Sequence, residues 1–131
     1  MDVIWSPWRY DYITKSNGPI TIDCVFCDIL QNSVSDEDNF ILHRAEFNFA
    51  ILNVYPYTSG HMMVLPYEHV ASPAEASKAS TDEMMDLVKL FTQKISTVYK
   101  ADGINIGMNL GRAAGAGAAR HYHIHLLPRW V

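Results

Sequence analysis

The segment that begins at position 121 constrains the fold of this chain most, because its histidines recur at every second residue. Three histidines alternate there with three apolar residues: His121, Tyr122, His123, Ile124, His125 and Leu126. In an extended strand, alternate side chains point to the same face. The pattern therefore predicts a strand with three imidazoles on one face and a buried apolar face on the other.

The chemistry of the three histidines stays open at this level. Imidazole can act as a nucleophile, a proton carrier or a metal ligand near neutral pH. Histidines two residues apart on a strand can also converge on one zinc ion. A solvated strand face is a weaker explanation, since it asks for no particular residue type. A purification tag would be a contiguous run of histidine, which the intervening apolar residues exclude.

A second strand and a loop precede the histidines. Residues Ile104 to Leu110 alternate apolar side chains with Asn or Gly, so Asn109 is expected to face away from the core. The loop from Gly111 to Arg120 consists largely of Gly and Ala, whose small side chains let backbone N–H groups approach an anion. It lacks the Gly-Lys-Ser/Thr ending of a Walker loop. Either a phosphate-sized pocket or a flexible hairpin connection fits this composition.

The two cysteines form a second motif. Cys24 and Cys27 are the only cysteines, and their spacing suits a redox dithiol, a pair of zinc ligands or two small buried residues. No βαβ pattern surrounds them, which argues against a thioredoxin-like site. A complete zinc site needs two more ligands, and histidine would have to supply them.

Length and composition indicate one domain, whose α+β class follows from the helix and strand pattern. The chain has 131 residues, of which 49% are hydrophobic and 18% charged, as in an ordinary globular protein. The formal charge of -4 and the lack of a basic run argue against a nucleic-acid polymer as ligand. No segment reads as a membrane span or a secretory leader, so we expect a cytoplasmic protein without a membrane partner.

Periodicity predicts one long helix and about five strands. The helix is expected from Ser80 to about Ala101, with Ser80 and Glu83 as a capping box and Asp102-Gly103 as its end. Its apolar stripe consists of Met84, Val88, Phe91, Ile95 and Val98. Three earlier strands are expected at Phe40–His43, Phe47–Asn53 and His61–Pro66, and a short helix after Cys24. Short links between consecutive strands predict a mainly antiparallel sheet.

At this point the chain resembles the histidine triad (HIT) family of nucleotide hydrolases and transferases, in particular the bacterial branch with diadenosine tetraphosphate phosphorylases. The resemblance rests on motifs that fall in the family's order: Trp5-Ser6-Pro7-Trp8-Arg9-Tyr10, Cys24-Val25-Phe26-Cys27, Leu52-Asn53-Val54, Gly60-His61 through Pro66-Tyr67-Glu68-His69, Asn109-Leu110-Gly111, Ala114-Gly115, the triad and Pro128-Arg129-Trp130. It implies a single HIT domain over residues 1–131, with an aromatic N-terminal arm at 1–20.

The resemblance also implies roles for individual residues. It implies one structural zinc ion on a set of four ligands, namely Cys24, Cys27, His69 and His121. His123 would then be the nucleophile that attacks the α-phosphate of a nucleotide and forms a nucleotidyl-histidine, as in nucleophilic catalysis generally. His125 and the loop amides near Gly115 and Gly117 would hold phosphate oxygens. Asn53 is implied at the ribose, Asn109 near the phosphates, and Phe26 and Ile29 beside the base, although core packing explains the last two equally well.

Two departures from the family pattern bear on function. Many relatives carry Gln, Ser or Thr in the loop before the triad, where this chain has Ala116, Gly117, Ala118 and Ala119. Relatives of this branch also usually continue past the Pro-Arg-Trp step, whereas this sequence ends at Val131, which a trimmed chain or a missing C-terminal segment would explain. The first hypothesis is an enzyme that cleaves or phosphorolyses a small nucleotide such as diadenosine tetraphosphate. Alternatives are a nucleotide-binding regulatory module with weak catalysis and a zinc-binding interaction domain.

The family further implies a homodimer. The long helix and the strand Ile104 to Leu110 would leave a sheet edge and an apolar flank exposed in a monomer, and such edges are usually covered. Family members pair their subunits in this region. Trp5 and Trp8 are expected to pack beside a nucleotide pocket or, alternatively, to anchor the core.

Overall fold

The computed structural model of the protein describes residues 24–53, 60–117 and 120–131. Within these ranges the elements are α1 (Val25–Gln31), β1 (Ile41–Arg44), β2 (Asn48–Leu52), β3 (Met62–Pro66), α2 (Lys78–Tyr99), β4 (Gly103–Gly107) and β5 (Ile124–Arg129), with short 3-10 helices at Pro73–Glu75 and Arg112–Ala114. The strands form one antiparallel sheet in the order β1-β2-β3-β5-β4. The predicted α+β architecture is therefore confirmed. The predicted N-terminal arm, with Trp5 and Trp8, lies outside the described residues.

The sheet is covered by a helix on each face. On one face α2 packs against the alternating residues Tyr122, Ile124 and Leu126, which are almost fully buried. On the other face α1 contributes Cys24 and Phe26 to a second cluster, which contains the aromatic residue Phe49 of β2. The apolar alternation after position 121 directs one set of side chains into the core under α2 and leaves the histidines on the α1 side. The strand itself is shorter than predicted, because β5 begins at Ile124, so His121 and His123 precede it and only His125 lies on it.

The N-cap of the long helix lies three residues before the predicted one. Its N-cap is Ser77, whose side chain accepts a hydrogen bond from the backbone N–H of Ser80 at 3.1 Å. The predicted capping box at Ser80 and Glu83 is wrong, because Ser80 is buried in the first turn and Glu83 bonds to a neighbouring strand instead. Local spacing favours Ser80, because Ser80 has an acidic residue three positions later whereas Ser77 has Ser80 there, so the capping-box pattern selects the wrong serine.

The end of α2 also differs from the prediction. Lys100 takes the left-handed conformation with φ of 51° and caps the helix, so the chain turns before Asp102-Gly103. Four members of the predicted apolar stripe are buried, whereas Val98 is 70% exposed. Val98 lies in the last turn, where the helix extends past the core. No helix among the described residues is long and apolar enough to cross a membrane.

Gly60 occupies a position that only glycine fits. Its φ is +76°, and a Cβ there would lie 3.0 Å from Pro128 Cγ and from the Tyr99 ring. The next residue, His61, is held by a backbone hydrogen bond of 2.8 Å from Asn53 N–H to its carbonyl. The close approach of three elements at Gly60 therefore fixes where β3 begins and where His61 is presented.

Candidate active site and metal centre

Four side chains from three parts of the chain converge beside the sheet. Cys24 and Cys27 come from the start of α1, His69 follows β3, and His121 precedes β5. Sγ of Cys24 lies 3.3 Å from Nδ1 of His121, and Sγ of Cys27 lies 3.3 Å from Nδ1 of His69. All four donor atoms lie within 4.8 Å of one another. The structure thus brings together the whole ligand set that the resemblance implied.

The donor set fits a tetrahedral zinc ion. Bond lengths of about 2.3 Å to sulfur and about 2.0 Å to nitrogen place tetrahedral neighbours roughly 3.3 to 3.8 Å apart. The S···N separations of 3.3, 3.3 and 3.7 Å agree with that range. Two thiols and two imidazoles are also the donors of structural zinc sites. These residues could therefore hold a metal ion, and the seven-residue helix α1 would be tied to the triad segment through it.

His121 is oriented for this role by its second nitrogen. Its Nε2 donates a hydrogen bond of 2.7 Å to the carbonyl of Pro66, so the proton sits on Nε2 and the lone pair of Nδ1 faces the cysteines. Burial lowers the pKa of His121, and nearby His69 adds to this against the opposing effect of the Pro66 carbonyl. The neutral imidazole, which is the metal-binding form, is therefore favoured.

The thiol of Cys27, in contrast, is shifted away from its metal-binding form, which is the thiolate. Burial, together with the neighbouring Cys24 thiol, raises the pKa of Cys27 to about 11. A divalent cation reverses such a preference, because it stabilises the thiolate and displaces the proton. Metal binding at this cluster would accordingly strengthen as the pH rises.

The middle histidine of the triad is nearly enclosed. His123 is 5% exposed, and its Nδ1 donates to the backbone carbonyl of His121 at 3.1 Å. With the proton held at Nδ1, the lone pair of a neutral ring is at Nε2. This tautomer is the one that a nucleophilic imidazole requires. The ring of His125 meets that of His123 edge to face, with centroids 4.6 Å apart.

A chain of three side chains leads away from the last histidine of the triad. Nδ1 of His125 lies 3.0 Å from Nε2 of His61, and Nδ1 of His61 lies 3.0 Å from Nδ2 of Asn53. If the Asn53 amide donates to His61, then His61 donates from Nε2 and the proton of His125 is placed on its own Nε2. His125 then presents an N–H donor.

Sequence reasoning did not assign a role to His61. The sequence did offer one signal for His61, namely its position directly after Gly60 in a motif that resembles the family. The contact with His125 depends on the antiparallel register of β3 with β5, in which Met63 pairs with His125, and one sequence does not reveal this pairing.

The structure also describes the positions of the other predicted binding residues. Phe26 is 6% exposed, and its ring contacts both His121 and His123. Ile29 lies half-buried on the same helix. Asn109 follows β4, and its Nδ2 is 4.0 Å from where a Cβ on Gly115 would be. Gly117 is half-buried in the same loop. Their contacts with a nucleotide stay predictions.

The fold and the histidine arrangement define a member of a known class. The chain matches the HIT domain over residues 35–130 and belongs to the HIT family. An AP-4-A phosphorylase of Mycobacterium tuberculosis is 33% identical over 133 residues, which span 97% of this chain and 67% of the relative.

Two solved structures share the fold. A hypothetical histidine triad nucleotide-binding protein from Sulfolobus tokodaii strain 7 superposes with a TM-score of 0.71 at 34% identity, covering 82% of this chain and 69% of the other. A Zn-bound histidine triad family protein from Mycobacterium smegmatis has a TM-score of 0.68 at 28% identity, covering 81% of this chain and 74% of the other. The family resemblance and the fold predicted from the sequence are thereby confirmed.

Proposed function

We propose that this chain is a nucleotidyl hydrolase or phosphorylase that uses His123 to attack the α-phosphate of a nucleoside polyphosphate or related nucleotidyl conjugate. One observation carries the proposal: the His121 carbonyl binds Nδ1 of His123 and leaves the lone pair on Nε2, beside the ring of His125. The 33% identical relative named AP-4-A phosphorylase supports the same class of reaction.

The reaction would proceed in two displacements at phosphorus. In the first, Nε2 of His123 forms a bond to the α-phosphorus, and the bridging oxygen leaves with the electron pair as the polyphosphate product. In the second, water or inorganic phosphate attacks the same phosphorus, and the P–N bond breaks to return the pair to His123. With diadenosine tetraphosphate the first product is ATP, and the second is AMP from water or ADP from phosphate.

The residues around His123 would stabilise the charge that develops on the phosphate oxygens. His125 presents an N–H from Nε2 through its contact with His61, and a donor aimed at such charge contributes several kcal/mol. Asn109 and the backbone N–H groups near Gly115 and Gly117 are the further donors that we assign to the phosphates. Asn53 would serve the ribose, and Phe26 and Ile29 would flank the base.

A regulatory module that binds nucleotides with weak catalysis is the second candidate. The loop between Gly111 and Gly117 favours it, because Arg112 is the only residue there with a polar side chain. The family pattern to which the sequence was compared implies a side-chain donor in this loop. Without one, nucleotide binding could persist while departure of the leaving group slows.

We also assign the metal cluster to one structural zinc ion per chain and propose a symmetric dimer. The four donor atoms support zinc, as does the Zn-bound relative from Mycobacterium smegmatis. The dimer is supported by β4, which lies at one edge of the sheet and exposes Ile106. The cytoplasmic location and the absence of nucleic-acid and membrane partners stay predictions.

Product analysis tests the reaction. The protein is incubated with diadenosine tetraphosphate in the presence and absence of inorganic phosphate, and acid-quenched samples are analysed by chromatography. ADP with ATP indicates phosphorolysis, and AMP with ATP indicates hydrolysis. A histidine adduct of one adenylyl group should be detectable by mass spectrometry in early wild-type samples that are quenched separately with denaturant at alkaline pH, where the P–N bond survives, and it should be absent from His123→Ala. Nucleotide binding without products or adduct would support the regulatory module instead.

A further inference from the structure

The helix that carries both cysteines also carries a ring that touches the nucleophile. Phe26 lies between Cys24 and Cys27 at the start of α1. Its ring centroid is 5.1 Å from that of His123 and 5.6 Å from that of His121, and both contacts have the tilted or edge-on geometry that aromatic pairs prefer. The ring is 6% exposed and belongs to the second core cluster, so the two histidines contact a ring that is also packed against the sheet.

Two described contacts restrain the imidazole of His123 from the side of the metal cluster. One is the hydrogen bond from its Nδ1 to the carbonyl of His121, which is itself a candidate ligand. The other is the contact with the ring of Phe26, a residue that lies between the two candidate thiolate ligands in the sequence. Both contacts therefore depend on residues whose positions a metal ion would fix.

Local interactions hold the start of α1 weakly. The helix has seven residues, so its stability comes from tertiary packing, here of Cys24 and Phe26 in the second core cluster. Its N-cap is the Cys24 thiol, which accepts the backbone N–H of Cys27 at 3.4 Å. A sulfur is a weak acceptor, so this cap alone holds the first turn poorly. Ligation of both cysteines would fix the turn, and the Phe26 ring with it.

We infer that Phe26 is a positioning residue that couples occupancy of the Cys24, Cys27, His69 and His121 cluster to the orientation of the His123 imidazole. Loss of zinc would then do more than destabilise the N-terminal part of the domain, because it would also release one of the restraints on the nucleophile. The inference rests on the proposed function only for its catalytic consequence. The coupling between the metal and the ring of His123 is a property of the fold itself.

The test is a nuclear magnetic resonance measurement on the full chain with labelled histidine. The imidazole protons of His123, assigned by comparison with His123→Asn, are followed at constant pH while zinc is removed with a chelator and then restored. We expect reversible shifts, because the ring current of Phe26 leaves and returns. In Phe26→Leu at one zinc per chain, the zinc-loaded protein should already lack that ring-current shift. Unchanged His123 resonances on zinc removal, or in Phe26→Leu, would overturn the inference.

A matched variant and steady-state kinetics separate positioning from other roles. Phe49→Leu changes a fully buried ring of the same core cluster that stacks on Tyr67, and it should leave the His123 resonances in place. In zinc-loaded Phe26→Leu we expect kcat to fall by roughly ten- to hundredfold while KM changes by less than about threefold. A raised KM with unchanged kcat and unchanged His123 resonances would leave Phe26 with only its role at the base and contradict the inference. If the chain shows no turnover at all, the proposed function fails, and the resonance shifts still decide the coupling.

Discussion

Nε2 of His61 lies 3.0 Å from Nδ1 of His125, so a histidine that immediately precedes β3 supports the last histidine of the triad. Asn53 contacts the other side of His61, because its Nδ2 lies 3.0 Å from Nδ1 of that ring. A ring with both nitrogens engaged in this way has a defined tautomer. With the Asn53 amide as the donor to His61, the proton of His125 is placed on its Nε2.

Replacing His61 should reduce turnover more than nucleotide binding. In His61→Leu the tautomer of His125 is no longer fixed, and kcat should fall by about tenfold or more while the dissociation constant of a nucleotide changes little. His43→Leu is the control, because this exposed histidine lies on β1 beside Phe91. Stopped assays and calorimetry give the two quantities. A His61→Leu enzyme with wild-type kcat would remove His61 from the mechanism.

The metal cluster should contribute strongly to stability. Cys24→Ser or Cys27→Ser should abolish binding of one zinc ion per chain and lower the free energy of unfolding by at least about 2 kcal/mol, since ligation ties α1 to the triad segment. Glu68→Gln, next to the ligand His69, provides the control. Elemental analysis and thermal unfolding report the outcome, and wild-type protein purified without any zinc would contradict the assignment.

The sequence was sufficient for features that depend on local periodicity. The alternation around His123 predicted which side chains are directed into the core under α2, although β5 begins one residue later. The spacing of Cys24 and Cys27 indicated two ligands of a metal site. It was insufficient where a partner lies far along the chain. Glu83 was predicted to cap its own helix, yet its carboxylate accepts hydrogen bonds from backbone 36 residues earlier. His61 was overlooked for the same reason, because its contact spans 64 residues.

Glu83 should make stability depend on pH. Its carboxylate accepts hydrogen bonds of 2.8 to 3.0 Å from the backbone N–H groups of Phe47 and Glu46 and from Nδ2 of Asn48. Burial acts to raise the pKa of Glu83, but these hydrogen bonds outweigh it and hold the pKa below its ordinary value of 4.5. The folded state therefore gains stability from Glu83 above pH 4.5 and loses it as the pH falls through the lowered pKa.

The variant Glu83→Gln should remove this contribution. An amide presents its own N–H groups to one of the donors, so the free energy of unfolding at neutral pH should fall by about 1 to 3 kcal/mol. The difference from wild type should shrink as the pH is lowered below 4.5. Glu75→Gln, an exposed carboxyl on the first 3-10 helix, should have little effect at any pH. Denaturant unfolding at several pH values measures both, and a pH-independent difference would argue against ionised Glu83 as the cause.

The proposed dimer can be tested with one pair of matched variants on the two edge strands of the described sheet. Ile106 on β4 and Leu42 on β1 are each 49% exposed, and their strands lie at opposite ends of the order β1-β2-β3-β5-β4. A lysine at an interface must desolvate its charge, whereas a lysine at a free edge stays in water. Ile106→Lys should therefore shift a dimer toward monomer, and Leu42→Lys should not.

Light scattering at several protein concentrations distinguishes the outcomes. We expect a wild-type dimer at micromolar concentration, a monomer for Ile106→Lys, and a dimer for Leu42→Lys. Circular dichroism should show that both variants keep the wild-type fold, because both replaced side chains are half exposed and neither belongs to a core cluster. Dissociation by Leu42→Lys alone would place the interface at β1, and a monomeric wild type would reject the dimer for this chain.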